Sequence, residues 1–191
     1  DTGIIFANEL LDNLPFNIYQ SESNGNWRQV CVGQSGGSFH EVLVECDQNQ
    51  IKEFDVPERA GIRIPDQVEA RRWVNKALGS IQNGRIVVID YALQSFPAPE
   101  SHQWLRTYRS HGYGKNPLEE PGSQDITTDV DISQLSMVRE PSSIQPQQSW
   151  LNSLGIDALV KEGIQIWDQN AASPNVEALE ARSRITEAEA L

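Results

Sequence analysis

Two short apolar runs limit what this chain can fold into. Residues 4–7 (Ile-Ile-Phe-Ala) read as a short strand, and residues 85–91 as a second one centred on Ile86-Val87-Val88-Ile89. The second run is continuously apolar, the pattern of a strand buried on both faces rather than one that alternates between core and water. Each run ends in polar side chains: Asn8, Glu9 and then Asp12 after the first, Asp90 and Tyr91 after the second. Buried strands that open into acids and amides are the layout of α/β proteins, whose ligands sit outside the carboxyl ends of parallel strands. Two such strands cannot form a doubly wound sheet alone, because edges stay unpaired and a face stays uncovered. The sequence therefore predicts further strands upstream, and a marginal or sticky polypeptide when this piece is isolated. The absence of an initial Met and the helical pattern still running at residues 185–191 are read in the same sense, as cut ends.

The 191 residues suffice for one ordinary domain with a sizeable core. A formal charge of −12 argues against extended contact with phosphate backbones, which depends on Lys and Arg. An acidic surface attracts basic partners, although it serves solubility equally well. Cys31 and Cys46 lack metal-ligand spacing and flank a predicted hairpin; free thiols in a reducing compartment are expected rather than a disulfide. No apolar run approaches the length that crosses a bilayer.

Between Pro15 and Phe54, β-prone pieces at 16–20, 27–32, 39–46 and 51–54 are separated by Asn24-Gly25, Gly36-Gly37 and Gln48-Asn49, which predicts an antiparallel meander. Asp66 is placed to cap a helix reaching Ile81, with Val68, Arg72, Val74, Leu78 and Ile81 as its stripe and Asn83-Gly84 ending it. Residues 92–128 are rich in Pro, Gly and polar residues and read as a long irregular region, a kind of segment that is usually functional or disordered. Helices are expected at 131–138, 147–154, 157–168 and 175–189.

Ala7-Asn8-Glu9-Leu10-Leu11-Asp12-Asn13-Leu14-Pro15 resembles the post-strand motif of the MidA-type methyltransferases, whose mitochondrial members are complex I assembly arginine methyltransferases. Further matches follow in family order: Ile86 to Tyr91, Leu105-Arg106-Thr107-Tyr108-Arg109-Ser110-His111, Pro121 to Asp131, and Gln147 to Leu151 followed by Leu154-Gly155-Ile156. The resemblance covers residues 3–160 and implies an α/β, Rossmann-like class I methyltransferase fold, present in part, with an antiparallel insertion at 15–55, an active-site loop region at 92–128 and a helical segment at 131–191. It implies S-adenosyl-L-methionine as cofactor and a protein substrate presenting arginine. It is compatible with a homodimer, and with a cytoplasmic location in bacteria or a mitochondrial one in eukaryotes. The single domain expected over 1–191 would lack its donor-binding half, since the family's Gly-rich turn after the first strand is missing. Gly33 and Gly36-Gly37 lie between hairpin strands with no helix following, and read as turns. Here the family's Asp-Tyr-Gly is Asp90-Tyr91-Ala92, which puts in doubt any role needing positive φ at that position.

An arginine acceptor poses a specific problem, because guanidinium stays protonated and is a poor nucleophile. Forked carboxylates fix its plane, aim one nitrogen and stabilise the charge. The catalytic candidates are Glu9 as principal guanidinium ligand, Asp12 assisting three residues on, Asn8, and His111 as proton acceptor or polar clamp. Asn8 and Glu9 are also the residues expected to touch the donor. Asp90, Tyr91, Arg106, Tyr108, Asp125 and Thr127 are the substrate-binding candidates, Arg106, Tyr108 and His111 on a loop able to close over the site. Bland roles compete: Asn8 and Asp12 as caps of backbone N–H groups, Asp90 as a cap, Arg106 in an ion pair, Tyr108 in packing, Asp129 or Asp131 capping the next helix. With three histidines and no EF-hand spacing around Asp125, Asp129 and Asp131, no metal site is expected. The alternative to an enzyme is a non-catalytic assembly or interaction protein that keeps the fold.

Overall fold

The structure, a computed structural model, describes residues 2–52, 54, 56, 59–97, 103–110 and 112–189. The chain divides into two compact units, residues 1–140 and 141–191.

In the first unit β1 (Thr2–Asn8) leads through a 3-10 turn (Leu11–Asn13) to β2 (Asn17–Ser21), β3 (Trp27–Ser35) and β4 (Ser38–Glu45). A short α1 (Gln48–Ile51) precedes β5 (Arg63–Asp66), α2 (Val68–Ser80) and β6 (Asn83–Ile89). There follow β7 (Ala92–Leu93), β8 (Leu105–Arg109), β9 (Gly112–Tyr113), β10 (Asp125–Thr128), β11 (Val130–Asp131) and α3 (Ile132–Ser136). β1 and β6 pair in parallel, Asn8 opposite Ile89, so both strands end at the same rim. The meander forms an antiparallel sheet ordered β4-β3-β2-β5.

Several sequence expectations need correcting. Of the predicted strand at 51–54, Ile51 ends α1 and residue 53 lies outside the described residues; Asp47 accepts from the Asn49 N–H at 3.0 Å and the Gln48 side chain bonds the Trp27 N–H and C=O, both at 2.9 Å, turning the chain into the helix. Ile51 is then buried, and β5 supplies the fourth strand beside β2. Asp66 does not cap α2; Gln67 holds the N-cap position, while Asp66 pairs with Arg71 at 2.7 Å. The helix buries Ala70, Val74 and Ala77, an i, i+4, i+7 face, and turns Arg72 outward to Glu69. Gly84 belongs to β6 instead of ending the helix: a Cβ there would lie 1.8 Å from the Gly3 carbonyl oxygen, so the close approach of β1 and β6 requires glycine. Residues 92–128 contain β7 to β10, with β8 flanked by β10 and β9. β6 is half-buried where full burial was expected, and Ile4 and Phe6 of β1 are 70% and 55% exposed, since β1 and β6 pair only with each other among the described residues.

Two apolar clusters support this unit. Tyr19, Ile51, Ile62, Ile64 and Phe96 fill one, under the meander. Leu11, Ala70, Val74 and Val130 fill the other, joining the post-β1 turn to α2 and β11. Burying one such Leu side chain contributes about 1.5–3 kcal/mol, enough to seat the turn. Cys31 and Cys46 are free thiols, as expected.

The second unit consists of α4 (Gln147–Ser153), α5 (Ile156–Asn170) and α6 (Val176–Glu189), near the predicted positions. Fully buried Ala178 and Ala181 line α6, and Gly163 of α5 has the Ala181 carbonyl and Ile185 where a side chain would stand, so small residues let the two helices close. The Arg182 guanidinium lies 4.6 Å from the Trp167 ring centroid.

Candidate active site at the carboxyl ends of β1 and β6

The parallel register carries past the strands. The Glu9 N–H donates to the Ile89 carbonyl at 2.8 Å, after which Glu9 takes φ 45°, left-handed and uncommon for a non-glycine residue. That kink aims the chain across the end of β6 and separates Glu9 from Asp12. The Glu9 side chain is exposed and makes no hydrogen bond or ion pair among the described residues, whereas Asp12 is 3% exposed.

Asp90 receives the turn. Its Oδ2 accepts from the Leu11 N–H at 2.9 Å and, longer, from the Asp12 N–H at 3.4 Å; its Oδ1 accepts from the Tyr91 N–H at 3.0 Å. Asp12 accepts from Asn13 Nδ2 at 2.7 Å. Burial and the neighbouring Asp12 push Asp90 up to about 6, and burial raises Asp12 as well.

β8 brings a cation to this place. Arg106 forms a 2.6 Å ion pair with Asp129, its side chain 12% and that of Asp129 5% exposed, and its guanidinium stands 5.5 Å from the Tyr91 ring centroid. Asp129 is held by a buried amide network. Gln67 Nε2 donates to the Asp129 carbonyl at 2.7 Å, Gln67 Oε1 accepts from the Asp131 N–H at 2.8 Å, and Gln134 Oε1 accepts from the Gln67 N–H at 2.9 Å. Asp131, not Asp129, caps α3, accepting from the Gln134 N–H at 3.2 Å. The Val130 N–H donates to the Tyr91 carbonyl at 2.7 Å, which docks this segment beside the end of β6.

The structure thus brings Asn8, Glu9, Asp12, Asp90, Tyr91 and Arg106 to one rim. Arg106 and Tyr108 lie on β8 rather than on a loop. Tyr108 stacks on Tyr113 with centroids 5.5 Å apart. Asp125 is exposed at the start of β10, opposite Tyr108, and Thr127 is buried opposite Arg106, its Oγ1 without a hydrogen-bond partner among the described residues. His111 lies outside the described residues. Sequence reasoning missed Asp129 as the partner of Arg106, Asn13 as that of Asp12, and the Gln67–Gln134 pair. Nothing in the local pattern marks the last pair or Asp129, because the two glutamines lie more than sixty positions apart and Asp129 stands between β10 and β11, away from the strand that carries Arg106; Asn13 is the neighbour of Asp12 and was within reach of local reading.

The rim offers polar groups that suit the amino acid end of a nucleoside cofactor, but a phosphate- or nucleoside-cradling glycine turn between a strand and a helix does not occur among the described residues. The glycines at positive φ lie in turns, or, for Gly84, within β6. Two hollows of about 850 and 600 Å³ lie elsewhere, at Gly37–Glu41 with Asn116–Pro121 and at the start of β6. This chain's own residues therefore fit one side of a cofactor site and not its cradle.

Fold and rim define an α/β protein with a polar rim at the carboxyl ends of two parallel strands. Residues 1–148 match the family described as "Putative S-adenosyl-L-methionine-dependent methyltransferase", and the chain belongs to that family, whose methyl donor is S-adenosyl-L-methionine. It is similar to the mitochondrial protein arginine methyltransferase NDUFAF7 of Rattus norvegicus, 27% identical over 176 residues, covering 84% of this chain and 38% of the relative. Two solved structures from Burkholderia thailandensis share the fold at 20% identity. One, bound to S-adenosyl-homocysteine, has a TM-score of 0.74 and matches 95% of this chain and 48% of its own; the other, a native structure, has 0.76 with 97% and 50%. The chain thus spans half or less of the length of these relatives. Among the described residues no helix is long and apolar enough to cross a membrane.

Proposed function

We propose that the protein transfers a methyl group from S-adenosyl-L-methionine to arginine side chains of a protein substrate, and that this chain forms the acceptor side of the site. The parallel β1–β6 pair is then part of a Rossmann-like class I methyltransferase sheet. The observation that carries the reading is Glu9: an exposed carboxylate without a side-chain partner among the described residues, on a left-handed turn at the end of a parallel strand, while Asp12, Asp90 and Asp129 beside it are all engaged. A left-handed non-glycine residue held by its surroundings is a recurrent mark of functional sites. Bound, the donor would supply an electrophilic methyl carbon, its transfer leaving S-adenosylhomocysteine and releasing one proton from the acceptor nitrogen. Glu9 accepts a forked pair of N–H bonds from guanidinium, fixes its plane and compensates its charge. Asn8, at the end of β1, is in reach of the same ligands. The name of the rat relative supports arginine as acceptor, and the order of motifs supports a role in complex I assembly.

Calorimetric titration of S-adenosylhomocysteine into the longest expressible polypeptide and into residues 1–191, together with transfer to an arginine peptide, tests this. Expected is donor binding by the longer polypeptide and loss of transfer by about 10²-fold or more in Glu9→Gln, the cost of removing a charged ligand of the reacting group. Failure of every form to bind would favour the assembly-protein reading; transfer undiminished in Glu9→Gln would remove Glu9 from the site.

A further inference from the structure

The sheet β10-β8-β9 sets three side chains in one row. Tyr108 of β8 lies opposite Asp125 of β10 on one side and opposite Tyr113 of β9 on the other. Directly opposed residues of antiparallel strands share a face of the sheet, so the carboxylate and the two rings stand side by side. The rings stack with centroids 5.5 Å and planes 25° apart, and Tyr113 is 80% exposed, which leaves the outer face of the pair to water. The backbone after Tyr113 is pinned to its neighbours. The Gly114 N–H donates to the Thr107 carbonyl at 2.7 Å, Thr107 Oγ1 donates to the Lys115 carbonyl at 2.5 Å, and Gln124 Oε1 accepts from the Lys115 N–H at 2.9 Å. A ring presented on a fixed backbone loses little freedom when a ligand covers it.

Asp125 is exposed and its side chain has no partner among the described residues. The cations of this part of the chain are engaged elsewhere: Arg106 with Asp129, Arg109 with Glu120, and Lys115 with Glu119 and Glu120. A free carboxylate beside an open aromatic face suits a cationic side chain, held by the ring quadrupole and by charge. We propose that Asp125, Tyr108 and Tyr113 form a subsite for a lysine or arginine that flanks the acceptor arginine in the substrate polypeptide. The subsite deepens the function proposed above and rests on it in that the bound polypeptide is the methyl acceptor. Arg106 shares the face of β8 with Tyr108, two residues or about 7 Å along the strand. Its guanidinium stands 5.5 Å from the ring centroid of Tyr91, the residue that follows Asp90 at the rim. About two to five extended residues of substrate therefore span from Glu9 to the row. The formal charge of −12 draws basic polypeptides towards such a surface.

The test uses the longest expressible polypeptide and pairs of fluorescent peptides, each with a single arginine and differing only in lysine or norleucine about two to five residues from it. Binding is read by fluorescence anisotropy without donor, and transfer as KM and kcat. In wild type the lysine peptide of at least one pair should bind about fivefold or more tighter than its norleucine partner, with a similar ratio in KM and little change in kcat. Tyr113→Ala and Asp125→Asn should each pull that ratio towards one, Tyr113→Phe should keep it, and salt should shrink it in wild type. The ratio compares two peptides on one protein, so a variant that folds incompletely still reports it. A ratio of one for every pair in wild type, or the wild-type ratio in both Tyr113→Ala and Asp125→Asn, would overturn the subsite. Transfer that is lost in Glu9→Gln yet indifferent to lysine would leave the proposed function standing without the subsite. Lysine-dependent binding that needs Tyr113 and Asp125, in a polypeptide that transfers no methyl group, would refute the proposed function and leave the row as a site for basic residues.

Discussion

The rim at the ends of β1 and β6 and the exposed face of the meander both join arginines to carboxylates, yet they use charge differently. On the meander, Arg63 of β5 bonds Glu41 of β4 and Arg28 of β3 bonds Glu45 of β4, with side chains open to water. At the rim, Arg106 and Asp129 are nearly dry, and Asp129 is set by an amide network reaching from β5 to α3. Water screens the first kind of pair and leaves it little net energy. The second kind has already lost its hydration, so its geometry must be over-determined, and any loss of a partner is strongly destabilising. Charge on the meander faces water; charge at the rim is buried and fixed by its partners.

The largest expected effect breaks the rim. Arg106→Leu removes the cation from a buried carboxylate and should cost about 3–5 kcal/mol in urea unfolding, with Glu9-turn amides losing protection. Gly84→Ala comes next: the added methyl meets the Gly3 carbonyl, so β1 must shift from β6, at about 3 kcal/mol, read from the thermal midpoint. Alanine at Gly36, where φ is 58° and nothing lies within 4 Å, should cost only about 1–2 kcal/mol. Third is a pH effect. The raised Asp90 pKa gives a stability contribution fully present below the ordinary aspartate value and lost as pH rises through about 6. Glu41, held low by its bond to Arg63, has the opposite sign, its contribution being lost as pH falls. The difference in unfolding free energy between wild type and Asp90→Asn should therefore shift in favour of wild type between pH 7.5 and pH 5, and an unchanged difference would contradict the Asp90 assignment. The smallest effect is Glu41→Gln, at about 0.2–1 kcal/mol and diminished by salt; a cost matching that of Arg106→Leu would erase the contrast between the two regions.

Much of this was legible beforehand. The two parallel strands, the meander, α2 and the helices of the second unit follow from apolar periodicity and turn residues, which are local signals. The polar residues ending the two strands located the rim, because parallel strands open their carboxyl ends to the same side. The reading of 51–54 as a strand failed because the capping and amide bonds of Asp47 and Gln48 outweighed β propensity. The reading of Asn83-Gly84 as a helix end failed because glycine was needed for contact with Gly3.

By itself the sequence determined which elements form, which family the motifs resemble and which polar residues end the two parallel strands, since all of these depend on neighbours along the chain. Only the tertiary structure decided that Glu9 faces outward while Asp12, three residues on, is buried with its N–H on Asp90. It also decided that Arg106 belongs to Asp129 and that two glutamines from distant elements hold that pair in place. Spacing records which residues are close in sequence; a carboxylate's partners, and hence its proton, are set by desolvation and by atoms that arrive from elsewhere in the fold.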